Sequence, residues 1–144
     1  MPKEKYVSLD ELLAESDFVA LVCSLSESSR GLLGKREFEM MKSTTVFVST
    51  SRGETFDQQA LYEVLRDKKI FGAGLNGYNK EPIPLDDPIL DLNNVVLIPH
   101  AGSNTYETIL EMQATACQDV ASVLKGKTPK YVVNEGVKKI RPLA

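Results

Sequence analysis

One histidine, two cysteines and no long apolar run are what this sequence of 144 residues has little of, and each scarcity excludes something. A single histidine and two widely separated cysteines cannot be assembled into a metal-ligand spacing, so no metal site is expected. Cys23 and Cys117 each sit inside an apolar stretch and read as small buried hydrophobes rather than as a disulfide, which fits a reducing compartment. No stretch approaches the roughly 20 apolar residues of a membrane span, and Met1-Pro-Lys-Glu-Lys-Tyr6 has no apolar core of a signal peptide. The expectation is a cytoplasmic protein with no membrane partner. Seventeen basic residues against twenty acidic ones leave a net charge of -3. No Lys/Arg cluster could neutralise a row of phosphates, so nucleic acid is not an expected partner. Internal repeats and low-complexity segments are also missing.

What is present looks like an ordinary globular domain, with 42% apolar and 26% charged residues. The length predicts a single domain over 1–144, with 127–144 as a C-terminal tail. Short β-branched runs alternate with amphipathic helical stretches, the pattern of parallel strands joined by helical crossovers. Ser8 and Glu11 predict a capped short helix ending near Glu15. Phe18 to Cys23 is continuously apolar, as a strand covered on both faces would be. Lys35 to Met41 predicts a helix with Phe38 and Met41 inward, and Thr44 to Thr50 a second strand. Asp57 can cap a helix to Lys68 whose inner face is Ala60, Leu61, Val64 and Leu65. A third strand falls at Ile70 to Leu75, a long irregular connection at 76–93, and a fourth strand at Asn94 to Pro99. Asn104 and Glu107 predict a capping box for the longest helix, about 105–125, with Ile109, Met112, Ala116, Val120, Ala121 and Leu124 inward and Gly126 as its stop. The fold class is therefore α/β, a parallel sheet of about four strands with helices on both faces.

Gly72-Ala-Gly-Leu-Asn-Gly77 matches G-x-G-x-x-G, but that fingerprint requires a helix directly after it, and Tyr78-Asn-Lys-Glu-Pro-Ile-Pro84 cannot begin one. These glycines are expected to serve close packing in a strand and the turn after it. Three polar residues stand at strand ends: Arg52, Glu81 and His100. In an open parallel sheet the carboxyl ends of the strands converge on one crevice, so residues distant in sequence can meet there. A guanidinium offers a planar fork for a carboxylate, and an imidazole beside a carboxylate is a stronger base with its ring held in one orientation. The alternative is an exposed loop histidine, a surface arginine and a glutamate with no partner.

Ser16-Asp-Phe-Val-Ala-Leu-Val-Cys-Ser-Leu25, Arg30-Gly-Leu-Leu33, Met41-Lys42, Val48-Ser-Thr-Ser-Arg-Gly53, Gly72-Ala-Gly-Leu75, Glu81-Pro82 and Val95-Val-Leu-Ile-Pro-His-Ala-Gly-Ser103 together resemble the C-terminal half of D-isomer-specific 2-hydroxyacid dehydrogenases. Within that family the Cys-Ser-Leu and Ser-Arg-Gly-Glu wording is most similar to glyoxylate/hydroxypyruvate reductases. The resemblance implies a partial Rossmann-like sheet with a long C-terminal helix. It also implies NAD or NADP as cofactor and a small 2-oxo or 2-hydroxy acid as substrate. By the same resemblance Arg52 holds the 2-oxo acid, His100 donates a proton to its carbonyl, and Glu81 tunes His100. Cofactor contacts are implied for Ser24, Thr50, Asn76 and Gly102, and substrate-side contacts for Arg52, His100 and Ser103.

The family carries its own pyrophosphate loop, its first two nucleotide-domain strands and most of its substrate domain upstream of the matching segment. Asn76-Gly77 stands where the family usually has Asp-Val. With no upstream strand to pair with, Phe18 to Cys23 would be an apolar edge, and the expectation is a homodimer or higher oligomer that covers it. The reading as an NAD(P)-dependent 2-hydroxyacid dehydrogenase therefore stands beside two others. One is a catalytically inactive fragment acting as an oligomeric or partner-binding protein, and the other is a piece of a longer active product.

Overall fold

Three helices begin where polar side chains reach the free N–H groups of a first turn. The Ser8 hydroxyl accepts from the Glu11 N–H at 3.2 Å and caps Leu9–Glu15 (α1). Glu37 reaches back to the Gly34 N–H at 3.0 Å and starts Lys35–Glu39 (α2). Asp57 accepts from the Ala60 N–H at 3.0 Å and caps Gln58–Arg66 (α3). Between them run Phe18–Leu21 (β1), Val46–Ser49 (β2), Gly72–Leu75 (β3) and Val95–Leu97 (β4). All pair in parallel in the order β1-β2-β3-β4, so the expected four-stranded α/β sheet is present, with each end within two residues of the apolar runs. This computed structural model describes residues 4–134 and 136. It divides into two compact units, one up to Gly102 and one from Ser103.

In the first unit one face of the sheet makes the core. Val19, Leu21, Phe47, Ala73 and Leu75 pack against Leu13 of α1, Phe38 of α2, and Leu61 and Leu65 of α3. Phe38, Phe47 and Phe56 meet edge to face, with ring centroids 5.3, 5.7 and 6.5 Å apart. Because all three helices contribute to this single cluster, α1, α2 and α3 lie on one face of the sheet. The same fact corrects the strand expected to be buried twice over. Val19 and Leu21 are buried, while Phe18 and Val22 point outward at 75% and 71% exposure, with Val96 at 68% on the same open face. A continuous apolar run does not distinguish a doubly covered strand from one whose second face is open.

The second unit contains Tyr106–Leu124 (α4). Its cap is Thr105, whose hydroxyl accepts from the Thr108 N–H at 3.2 Å, and not the expected Asn104. Both residue types cap well, and spacing alone cannot choose between neighbours. None of the expected inward positions of α4 is buried: Ala121 is half-buried, and Ile109, Met112, Ala116, Val120 and Leu124 are exposed. Among the described residues of its own unit, none buries that face. Cys117 is exposed on the same helix and Cys23 is half-buried, both as free thiols, so the buried reading fails for Cys117. Gly126 takes φ +72°, the left-handed stop expected after the helix. Of the expected tail over 127–144, residues 135 and 137–144 lie outside the described residues. No helix among the described residues is long and apolar enough to cross a membrane.

Candidate active site

The parallel ladder continues one residue past the strands. Thr50 N–H donates to Leu21 O at 3.1 Å, Asn76 N–H to Ser49 O at 3.0 Å, and Ile98 N–H to Leu75 O at 3.0 Å. The chain therefore leaves all four strands side by side at the carboxyl edge, where open parallel sheets bind ligands. Arg52, Glu81 and His100 are brought together there. They line one cleft of about 220 Å³ with Glu54, Tyr78 and Asn79.

Each of the three is held by its backbone surroundings. Ser51 Oγ donates to Cys23 O at 2.5 Å, joining the exits of β1 and β2. The Arg52 carbonyl accepts from the Thr55 N–H at 3.0 Å and the Thr55 hydroxyl at 2.6 Å, which leaves the guanidinium at the surface. Gly53 then lies flat on the Tyr78–Asn79 peptide, where a Cβ would stand 2.0 Å from the Tyr78 carbonyl carbon. Backbone cannot yield as a flexible side chain does, so Gly53→Ala is expected to cost about 1–3 kcal/mol or more. A urea titration checks this, and a variant as stable as the parent contradicts the packing.

Glu81 and His100 form the chemical pair, with His100 Nδ1 2.7 Å from Glu81 Oε2. Glu81 Oε1 meanwhile accepts from the Tyr78 N–H at 3.0 Å. These bonds hold the Glu81 carboxyl below the usual glutamate range, first through the His100 hydrogen bond, then the Tyr78 N–H, with the Arg52 charge adding to them. An ionised carboxylate only accepts, so Nδ1 carries the proton of the contact and Nε2 is left for a ligand. His100 itself sits at φ +50°, a left-handed conformation uncommon for a side-chain-bearing residue.

The lowered Glu81 value has a stability consequence of definite sign. The unfolded chain takes up its proton at a higher pH than the folded one, so the contribution is present above the ordinary glutamate value. It is lost as pH falls through the lowered folded value. The stability difference between the parent chain and Glu81→Gln, read by urea denaturation, is expected to shrink on acidification below about 4.3. It is expected to be small throughout, because both side chains are more than a third exposed. A difference that grows on acidification contradicts the pairing.

The remaining expected residues divide. Ser24 and Thr50 line a separate cleft of about 400 Å³ with Val22, Cys23, Leu25, Ser51 and Arg52, so Arg52 borders both hollows. Asn76 is buried and bonded to another expected residue: its Oδ1 accepts from the Gly102 N–H at 2.9 Å. Ser103 belongs to the second unit. The G-x-G-x-x-G letters behave as their context required. Gly72 and Gly74 lie inside β3, a Cβ on Gly72 would stand 2.7 Å from Asn94 O, and the chain after Gly77 is irregular. Along the other side of the pair runs an apolar groove of about 460 Å³ lined by Tyr78, Pro82, Ile83, Leu90, Leu97 and Pro99 with Glu81 and His100. A larger hollow of about 600 Å³ at the opposite end of the strands has Lys68 as its one charged side chain, and no chemistry converges there.

Three supporting residues escape sequence reasoning. Tyr78 is 6% exposed, with its hydroxyl donating to Ile98 O at 2.8 Å. Gln58 accepts from the Asn79 N–H at 3.0 Å and donates to Asp87 at 2.9 Å, tying down the long connection. Gly53 is the third. The only signal for any of them is one aromatic in an otherwise polar, proline-rich stretch.

Comparison with known proteins agrees with this fold. Residues 2–102 match the family model described as "D-isomer specific 2-hydroxyacid dehydrogenase, NAD binding domain". The glyoxylate reductase of Korarchaeum cryptofilum is 44% identical over 138 residues, 96% of this chain and 42% of the relative. The glyoxylate/hydroxypyruvate reductase B of Enterobacter sp. is 41% identical over 133 residues, 92% of this chain and 41% of the relative. The solved TT0316 protein from Thermus thermophilus superposes with a TM-score of 0.87 at 36% identity, over 93% of this chain and 44% of that one. The chain thus spans less than half the length of the proteins it matches. By motif, fold and sequence it belongs to the D-isomer specific 2-hydroxyacid dehydrogenase family, through that family's NAD binding domain.

Proposed function

We propose that this chain carries the catalytic side chains of an NAD- or NADP-dependent reductase of small 2-oxo acids such as glyoxylate or hydroxypyruvate. The observation that carries the reading is the 2.7 Å His100–Glu81 contact in a cleft shared with Arg52. Arg52 binds the substrate carboxylate through its planar fork. His100, protonated on both nitrogens, gives its Nε2 proton to the carbonyl oxygen as the carbon gains hydride, and is left neutral with Nδ1–H still donating to Glu81. The alkoxide thus never stands unprotonated, and the ring returns to one tautomer. A nicotinamide, when bound, supplies the hydride.

Ser24 and Thr50 fit the polar end of such a cofactor, since they line one cleft at the exits of β1 and β2. Asn76 and Gly102 stand at the exits of β3 and β4 on the same edge, and Ser103 is assigned to the substrate side. Among the described residues no helix follows a glycine-rich turn, so the pyrophosphate has no N-terminal helix grip in them. Binding by this chain alone is therefore expected to be weak. Titration with NADH and with NADPH, followed by nucleotide fluorescence, is expected to show millimolar affinity, and its absence at millimolar nucleotide contradicts the cofactor assignment. The two arms of that titration also decide between NAD and NADP.

A second reading, an inactive oligomeric or partner-binding protein, is favoured by the open apolar face bearing Phe18, Val22 and Val96 and by β1 at the edge of the described sheet. It shares with the first a homo-oligomer, most simply a dimer, in the cytoplasm. Sedimentation at micromolar concentration tests the oligomer, and a stable monomer contradicts it.

A further inference from the structure

The turn that presents His100 is held from both sides by the segment leaving β3. Two residues before the histidine, Ile98 O accepts from the His100 N–H at 2.8 Å, closing a tight turn, and also from the Tyr78 hydroxyl at 2.8 Å. Two residues after it, the Gly102 N–H donates to Asn76 Oδ1 at 2.9 Å. The imidazole itself is held by Glu81, whose second oxygen accepts from the Tyr78 N–H.

We propose that Tyr78 and Asn76 are positioning residues that fix His100 in its left-handed backbone conformation and so select the imidazole tautomer that Glu81 holds. The assignment of His100 as proton donor rests on the function proposed above, but the positioning itself does not. A left-handed residue persists only where its surroundings over-determine it, and here two side chains from one segment brace the backbone on either flank. Both braces are buried, at 6% and 8% exposure, so neither bond is traded freely for water. The Tyr78 phenol is also held above its ordinary range, by burial first and by the Glu81 charge second, and remains a hydroxyl donor throughout the neutral range. Gly102 lies close enough to Asn76 that a Cβ there would stand 3.2 Å from the side-chain amide, so the Asn76 side chain packs directly against the Gly102 backbone.

The chain's one histidine makes the test unambiguous. In ¹⁵N-labelled protein in alkaline buffer, where an ordinary imidazole is neutral, long-range ¹H–¹⁵N correlation reads the tautomer of the single ring. The expected result for the parent chain is a predominant Nδ1–H form. Tyr78→Phe keeps the buried ring and removes only the hydroxyl, and Asn76→Ala removes the acceptor. In each the Nε2–H form is expected to rise to the majority. Asn76→Asp retains an acceptor and is expected to restore the Nδ1–H form. A purely structural role would lower the melting temperature without moving the tautomer, and an unchanged tautomer in folded Tyr78→Phe or Asn76→Ala overturns the proposal. Should one variant not fold, the other carries the test. Should neither fold, hydrogen exchange in the parent decides, because protected His100 and Gly102 amides support the braces and freely exchanging ones overturn them. Neither measurement uses nucleotide or 2-oxo acid. A braced histidine without glyoxylate reduction therefore refutes the proposed function alone, whereas turnover with an insensitive tautomer refutes this inference alone.

Discussion

His100→Ala is expected to lower the turnover number for glyoxylate reduction about 10²–10⁴-fold, the span typical of losing a positioned general acid. The same substitution should leave the fold intact. His100 is half-exposed, belongs to no core cluster, and its side chain bonds only Glu81 among the described residues. A melting temperature unchanged within error, together with the loss in rate, separates chemistry from stability, and an equally active variant contradicts the role. Glu81→Gln should cost less, since a neutral amide can still accept from Nδ1 but no longer stabilises the imidazolium. The ordering His100→Ala below Glu81→Gln below parent is thus part of the expectation. Steady-state assays at saturating nucleotide and a range of substrate concentrations read all three.

Phe47→Ala should give the largest loss of stability, about 3–5 kcal/mol, read from the midpoint of urea denaturation. Phe47 is fully buried on a central strand, and its ring meets both Phe38 and Phe56 edge to face. Truncation therefore leaves a void bounded on one side by the sheet and on the other by two aromatic rings that cannot collapse into it together. The informative control is the same change at Phe18, one strand away and 75% exposed, where the effect should lie within about 0.5 kcal/mol. Equal effects at the two positions contradict the one-sided core. A concentration-dependent loss at Phe18 would show instead that a second copy covers the open face.

Much of the fold could be read in the sequence because period and punctuation agree. Ser8 and Asp57 stand at the caps where they are expected, and Ala60, Leu61, Val64 and Leu65 form one buried face because their spacing follows the helical repeat. The strand runs locate all four strands in order. Sidedness was not legible. Phe18 and Val19 are equally apolar, and only the placement of α1 to α3 on one face sends one outward and the other inward. The same limit explains α4, whose apolar stripe gives a face but not what lies against it.

At the site, the meeting of Arg52, Glu81 and His100 was legible because each lies in the segment leaving a strand, and parallel strands deliver their ends to one edge. Tyr78 was not, because a bond from a phenol to the Ile98 carbonyl has no sequence spacing to betray it. Asn76 was singled out as a departure from the family, and what it bonds, the Gly102 N–H, emerges only from the fold.

In the proposed function these residues deliver a proton to a carbonyl while its carbon accepts a hydride, and isotope transfer reads that step itself. The protein is incubated with glyoxylate and NADH stereospecifically deuterated at the transferable C4 position, with the NADPH equivalent as a second arm, and the glycolate formed is examined by mass spectrometry. The expected glycolate carries one deuterium on C2 when the label sits on one face of C4 and none when it sits on the other, and its formation is lost in His100→Ala. No glycolate from either nucleotide, or glycolate without deuterium from either labelled face, would contradict the proposed function.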